Sequence, residues 1–225
     1  MRYSLAGIFK SLEELISILE RPKRLVDRTW VNPSKNGQRG FKLKSSLSSG
    51  SATILGVSLE IVCAVDGFDL PSRVVLLAEI NRKARAFARI DINGSPHNNR
   101  QAICGVWQQL DAGKTHFHDT RLHSHVPFDV LFDTVQDLPI ARPIGDMPTE
   151  FSEAMEKCGE LLHIENLEEI AEPQWQPRTV SFLTTGDIMG RYPALDEAVR
   201  TMVTTSFVQG RFRVEMPVVL PSGSA

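Results

Sequence analysis

Two hydrophobic periods follow one another along the first hundred residues. From 11 to 20, apolar residues recur every three to four positions, as they do on one face of a helix. Ser11 stands three residues before Glu14, which is the spacing of a capping box, and Pro22 interrupts the pattern. The chain therefore predicts a first helix close to residues 11–20.

Four β-favouring runs come next, at 41–47, 52–65, 73–79 and 85–92. Short segments rich in turn-forming residues separate them, a spacing typical of an antiparallel meander. In the last run Ala88 and Ile90 alternate with Arg89 and Asp91, so one face of this strand belongs to a core. The other face carries Arg89 and Asp91 either towards a site or, as an ordinary surface ion pair, towards solvent.

Helical spacing returns in the second half of the chain. An apolar stripe predicts a second long helix at 148–163, with Pro148 in its first turn, and a shorter helix at 166–170. Two prolines among polar residues mark 172–177 as a linker. Beyond it, the pattern indicates a strand, a helix and a closing strand between 178 and 220.

Together these patterns predict an α+β fold. We expect an antiparallel sheet of about five strands, covered by the helices near 11–20 and 148–163. Residues 1–171 would form the main domain, with the amino-terminal helix and a histidine-bearing strand. Residues 178–220 would form a β-α-β appendage, which is either separate or packed on the main sheet.

Composition narrows the class of protein. A chain of 225 residues with 42% hydrophobic and 23% charged content can bury the core of one large domain or two small ones. No apolar run approaches a membrane span and the first residues do not resemble a signal peptide, so we expect a cytoplasmic protein with no membrane partner. The three cysteines are far apart and are expected to be buried thiols.

The net charge of −2 hides an asymmetry between the two halves of the chain. Residues 1–100 hold 16 Lys and Arg against 9 Asp and Glu, whereas residues 101–225 hold 9 against 18. Lys35, Arg39, Lys42 and Lys44 could contact the phosphates of RNA or another nucleic acid, although scattered cations more often only solvate a surface. The acidic carboxy-terminal half could instead dock a basic protein partner.

The densest group of reactive side chains lies at 115–125, which holds four of the six histidines. His116 and His118 are two residues apart, so on a strand both imidazoles leave the same face. His123 and His125 repeat this spacing. His97 follows the turn after the strand at 85–92, within reach of His116 and His118 if the two strands are neighbours.

Three interpretations of the histidines stay open. In the first they are structural, solvated or bonded to backbone. In the second His116 and His118 act as general acid and base while Arg89 or Arg121 stabilises phosphate charge, a chemistry that needs no cofactor. In the third His97, His116 and His118 are ligands of a divalent metal.

The same residues carry a resemblance to a protein family. The segment R-x-D-x-N-G-x-x-H at 89–97, the later His-x-His at 116–118 and a helix carrying Cys158 resemble an uncharacterised family of small bacterial and archaeal proteins. The resemblance covers roughly 73–165, and the chain departs from the family pattern at 119–125. Since the family has no settled activity, the resemblance selects residues and does not imply a reaction.

Three functional hypotheses follow from these observations. The first is a small intracellular RNA-directed protein of the toxin or phage-defence type, a metal-independent ribonuclease that uses paired histidines with His97, Arg89 and Arg121 nearby. The second is a non-catalytic interaction protein, such as an inhibitor, adaptor or assembly subunit. The third is a metal-dependent hydrolase.

Overall fold

The computed structural model describes residues 8–31, 40–65, 67–68, 71–135 and 137–175, and the backbone of 206–208 and 211–213. Two compact units divide the chain, Met1–Trp175 and Gln176–Ala225. The boundary between them falls inside the linker predicted at 172–177.

The first helix confirms the capping pattern in the sequence. Helix α1 (Leu12–Glu20) begins after Ser11, whose hydroxyl accepts a hydrogen bond from the backbone N of Glu14. The Glu14 carboxylate accepts in turn from the backbone N of Lys10. These two bonds satisfy donors that a helix start otherwise leaves unpaired. The helix ends just before Pro22, as the sequence predicts.

An antiparallel sheet of eight strands forms the centre of the first unit. Its order is β1-β3-β4-β5-β6-β9-β10, and β2 pairs with β3. The five strands expected from the sequence are the consecutive strands β3 to β6 and β9. The expected number of strands was too low because three strands of only two or three residues extend the sheet. Strands β7 and β8 form a separate pair outside this sheet. The strands are β1 (Arg24–Leu25), β2 (Trp30–Val31), β3 (Gly40–Ser49), β4 (Ala52–Ala64), β5 (Ser72–Ile80), β6 (Lys83–Ile92), β7 (His97–Asn98), β8 (Asp111–Gly113), β9 (His116–Asp119) and β10 (Ala141–Pro143).

One face of the sheet forms the hydrophobic core. Apolar residues lie opposite one another in a row across five strands, and helices α1 and α2 (Phe151–Leu162) contribute to the same core. The predicted covering helices at 11–20 and 148–163 are therefore confirmed with small changes of boundary. The row consists of Leu43, Ile61, Val74, Ile90 and Phe117.

The opposite face of the same strands is polar, because successive side chains alternate across a strand. Two neighbouring rows cross it from β3 to β9. The register places Lys44, Glu60, Val75, Arg89 and His118 in one row, and Lys42, Val62, Arg73, Asp91 and His116 in the next.

Two local predictions are wrong. Residues 166–170 form turns and not a helix. His123 and His125 do not continue the strand geometry of His116 and His118, since Thr120–His123 is a 3₁₀ turn. The Asp119 carboxylate accepts a hydrogen bond from the backbone N of Arg121, which caps this turn and ends strand β9.

The second unit is described only in part. An antiparallel hairpin joins β11 (Ser206–Val208) and β12 (Arg211–Arg213). The predicted closing strand overlaps β12, whereas the predicted strand at 178–184 and the helix after 192 lie outside the described residues. No helix in the described part of the chain is long and apolar enough to cross a membrane.

Phe117 tests the role of the core face. Phe117 stands between His116 and His118 in the sequence of β9, but its side chain leaves the opposite face of the strand and is fully buried there. The guanidinium of Arg142 lies 5.2 Å from the centre of its ring. We expect Phe117→Ala to lower the free energy of unfolding by about 3–5 kcal/mol, measured by urea denaturation. Val106→Ala is the control, because Val106 is 94% exposed and its truncation should change stability little. Equal stability of the two variants would contradict this assignment of the core.

Candidate functional site

Three imidazole rings meet on the polar face of the sheet. One ring nitrogen from each of His97, His116 and His118 lies within 4.8 Å of the corresponding nitrogen of the other two. The ring centres are 4.9–5.1 Å apart. We call this group the histidine trio.

Strand register brings together four of the polar residues around the trio. In the pairing of β6 with β9, Arg89 lies opposite His118 and Asp91 opposite His116. Alternation along each strand then turns all four side chains to the same face. The two-residue spacings Arg89-x-Asp91 and His116-x-His118 therefore act as one motif across two neighbouring strands.

His97 reaches the trio through the small β7–β8 pair that connects β6 with β9. Asn99 anchors this excursion. Its amide group donates to the carbonyl of Ala141, and its Oδ1 accepts from the backbone N of Ala141. Since Ala141 pairs with His118 across β9 and β10, Asn99 holds His97 close to His118.

In each ring of the trio, one nitrogen lies beside a backbone carbonyl oxygen. Nδ1 of His116 lies 3.0 Å from the carbonyl oxygen of Gly113, and Nδ1 of His118 lies 2.6 Å from that of Leu138. Nε2 of His97 lies 3.1 Å from the carbonyl oxygen of Pro139. A carbonyl only accepts, so these nitrogens carry the protons. Nε2 of His116 and Nε2 of His118 are the ring nitrogens that remain to face the Asp91 carboxylate.

The Asp91 carboxylate completes the group. Its Oδ2 lies 3.3 Å from Nε2 of His116 and 3.4 Å from Nε2 of His118. Arg89 donates to Oδ2 at 2.8 Å, and Arg73 donates to Oδ1 at 2.9 Å. Burial by itself would raise the pKa of Asp91, but the hydrogen bonds from both histidines and the charges of the two arginines hold it well below its usual range. Asp91 is therefore an anion at neutral pH.

The two arginines use their donors differently. Arg89 is only 16% exposed, and all three of its nitrogens are engaged, Nε by Asp91, Nη1 by Asp137 and Nη2 by Nε2 of His118 at 2.7 Å. Arg73 is 56% exposed and, within the described part of the chain, donates through Nε alone, to Asp91. Sequence analysis named Arg89 but missed Arg73, because only the register of β5 with β6 shows that it lies opposite Asp91.

Burial limits how the trio can react. His118 is completely buried, and this burial, followed by the charge of Arg89, lowers its pKa despite the neighbouring Asp91. His116 is nearly buried and His97 partly so. Among the described residues, the exposed groups next to the site are Arg73 and Asp137. A substrate would therefore approach from the side of these two residues.

Other residues nominated from the sequence lie elsewhere. Arg121 donates to Asp119 and lies 3.8 Å from Glu20 of α1, on the core side of the sheet. The structure therefore does not bring Arg121 to the trio. Lys35 and Arg39 lie outside the described residues.

Lys42 and Lys44 share the polar face with the trio, two to four strands away from Arg73 and the histidines. Lys42 is engaged by Glu60 at 2.7 Å. Lys44 is exposed.

His123 is a structural histidine. Its Nδ1 lies 2.8 Å from the carbonyl oxygen of Asp119, and its Nε2 accepts from the backbone N of Ile140. His125 is exposed, with Nε2 2.9 Å from the carbonyl oxygen of Ile103. The four histidines at 115–125 thus separate into two that face a common site and two with only backbone partners.

Two open cavities lie away from the trio. One is bordered by Glu156, Glu160 and Glu168 at the end of α2, and the other by Lys10, Ser124 and Phe128. Neither combines a cation-binding set of imidazoles with a buried carboxylate, so the convergence of ligand atoms, and not cavity size, identifies the site.

Comparisons with known proteins add no assignment. No family model, no curated protein and no solved structure matches this chain. The functional argument therefore rests on the geometry of the trio.

His123 predicts a specific dependence of stability on pH. Burial lowers its pKa from an ordinary 6.5 to about 4, so the unfolded chain binds a proton there more readily than the folded chain. Its contribution to stability is complete above about pH 6.5 and falls as the pH drops towards 4. The loss is up to about 3 kcal/mol, from 1.36 kcal/mol per pKa unit.

We expect His123→Gln to remove this contribution. The Gln oxygen can still accept from Ile140, but it does not titrate. Urea denaturation of both proteins between pH 7.5 and pH 4.5 measures the effect, and the free energy of unfolding should fall less steeply in the variant. Parallel pH profiles would show that His123 is not held in its neutral form.

Proposed function

We propose that this protein is a metal-dependent hydrolase whose divalent metal is bound by His97, His116, His118 and Asp91. The observation that carries the proposal is that three imidazoles converge, each with one nitrogen beside a backbone carbonyl, and that Nε2 of His116 and Nε2 of His118 both face the Asp91 carboxylate. Metal-binding histidines have this arrangement, because the outer bond fixes the ring and its tautomer. Three imidazoles with a carboxylate suit zinc and also iron or manganese.

His123 supplies an internal comparison for this argument. As a structural histidine it donates with one nitrogen and accepts a backbone N–H with the other. Among the described residues, Nε2 of His116 accepts no backbone N–H, and it faces the carboxylate of Asp91, which is itself an anion. An imidazole nitrogen without a backbone partner, beside a carboxylate oxygen, gives two ligand atoms that a divalent cation could bridge.

The distances fit a metal centre after a small contraction. With bonds of about 2.1 Å, the ligands of a tetrahedral ion lie about 3.4 Å apart. The two Asp91–histidine distances of 3.3 and 3.4 Å already match this value. The nitrogens of the three histidines are up to 4.8 Å apart, which exceeds the distance of about 3.4 Å between ligands of a tetrahedral ion, so one ring would move inwards.

Metal binding also requires Arg89 to move. Its Nη2 lies against the nitrogen of His118 that would bind the ion, and one atom cannot serve both. Rotation of the guanidinium would free this nitrogen. The rotation would also break the bond from Nη1 to Asp137, but the bond from Nε to Asp91 would keep the arginine beside the metal, where its charge could stabilise an anionic transition state.

The metal-independent ribonuclease is less well supported. General acid–base catalysis needs imidazoles that exchange protons with the substrate, within about 3 Å or through one water. His118 is fully buried and both of its nitrogens are engaged. A bound metal removes this difficulty, because it lowers the pKa of a coordinated water to about 7 and generates the nucleophile itself.

Metal content is the direct test of this proposal. We expect protein purified without chelator to contain about one divalent transition metal ion per chain, measured by plasma mass spectrometry. His97→Ala should weaken metal binding by more than about 100-fold, since even an outer partner of a ligand contributes 10–100-fold. His163→Ala is the matched control, because His163 lies at the end of α2 and should not alter metal content. Absence of metal from the wild-type protein, also after incubation with zinc, iron(II) or manganese(II), would contradict the proposal.

Chelation separates the two catalytic hypotheses. With bis(4-nitrophenyl) phosphate as a chromogenic probe, we expect hydrolysis to fall by at least about 100-fold when the metal is removed, because the nucleophile is then lost. Adding the metal back should restore the rate. Activity that persists in chelator and is lost in His116→Ala would instead support metal-free acid–base catalysis.

A further inference from the structure

Arg73 lies at the edge of the proposed metal site, and the described residues leave two of its donor groups without a partner. Its Nε donates to Oδ1 of Asp91, the same carboxylate whose Oδ2 faces the histidines. Its two terminal amino groups have no hydrogen-bond partner among the described residues, and the side chain is more than half exposed. The guanidinium fork is therefore held in place by one bond and open to a ligand.

The other arginines nominated for anion binding lack this freedom. Arg89 is only 16% exposed and keeps its bond to Asp91 even after it releases His118, and Arg121 pairs with Asp119 on the opposite face. In the described part of the chain, Arg73 is the arginine that combines contact with the site and free donors. It also lies on the exposed side, from which a substrate would approach.

We propose that Arg73 binds the anionic oxygens of a phosphate group in the substrate while the metal binds another oxygen of the same group. This inference rests on the proposed metal site. A guanidinium fork forms paired hydrogen bonds with two oxygens of a phosphate or a carboxylate. A carboxylate bound in this way has no further oxygen to offer the metal, whereas a phosphate keeps at least one.

The phosphate could come from a single nucleotide or from the backbone of a nucleic acid. The exposed side chain of Lys44 lies on the same face, two strands from Arg73 and one row along the sheet. Strands are about 4.8 Å apart, and Arg73 leans away from Lys44, towards Asp91 on β6, so Lys44 is placed to contact a neighbouring phosphate of a polymer. Lys44 therefore distinguishes the two sources.

Calorimetric titration with inorganic phosphate tests the role of Arg73. We expect metal-loaded wild-type protein to bind phosphate, and Arg73→Gln to bind it at least about tenfold more weakly because two charge-assisted hydrogen bonds are lost. Arg73→Lys should give an intermediate affinity, since it keeps the charge but not the fork. Arg82→Gln, an exposed arginine in the turn between β5 and β6, is the control and should bind as wild type does. Acetate should compete poorly.

Metal content measured on the same samples separates the two proposals. A protein without metal would count against the metal site, and the phosphate titration would then still show whether the anion binds through Arg73. Equal phosphate affinity in wild type and Arg73→Gln, with equal metal content, would overturn the role of Arg73. Stronger binding of acetate than of phosphate would overturn the choice of phosphate.

Steady-state kinetics and an oligonucleotide complete the test. With bis(4-nitrophenyl) phosphate, Arg73→Gln should raise KM more than it lowers kcat, whereas mere loss of folded protein would lower the apparent kcat alone. Lys44→Gln should weaken binding of a ten-nucleotide RNA but not of inorganic phosphate if the substrate is a polymer. No effect of Lys44→Gln on RNA would assign Arg73 to a nucleotide-sized ligand. An unchanged KM in Arg73→Gln would contradict substrate binding by this residue.

Discussion

The antiparallel register between β6 and β9 is the constraint on which the candidate site depends. It places Arg89 opposite His118 and Asp91 opposite His116, and alternation turns all four side chains to the polar face. A slip of one residue would send the histidines of β9 to the core side and Phe117 to the polar side. The fully buried Phe117 therefore holds the register from the core side of the sheet. Packing on one face and chemistry on the other are two consequences of the same pairing.

Much of this arrangement could be predicted from sequence. Alternation in residues 85–92 and the His-x-His spacing identified the two strands, their polar residues and His97 as a nearby third histidine. Arg73 and the anchor Asn99 could not be found in this way, because their roles depend on which strands are neighbours and on which carbonyls a long loop presents. The turn at Thr120–His123 was missed because a capping hydrogen bond from Asp119 overrides the spacing of the histidines.

Charge compensation explains how so polar a group can be buried. Asp91 is only 12% exposed, but it accepts hydrogen bonds from two guanidinium groups. Asp137 supplies a second carboxylate, which accepts from Arg89, so two carboxylates balance the two guanidinium groups. Removing Asp91 would leave the largely buried charge of Arg89 without its buried partner, which costs far more than the pair contributes. The network thus fixes the carboxylate that the metal would need, and it keeps that carboxylate ionised at neutral pH.

Asn99 has a consequence for the order in which the site forms during folding. The carbonyl of Pro139 orients His97, and the carbonyl of Leu138 orients His118. The side chain of Asn99 forms its hydrogen bond with Ala141, which lies 42 residues further along the chain. Contacts over such separations require closure of a long loop and tend to form late. The strand histidines can therefore pair with β6 before their rings are oriented. Only a chain that has also added β10 to the sheet carries all three imidazoles in one geometry, so assembly of the trio marks the completion of this part of the fold.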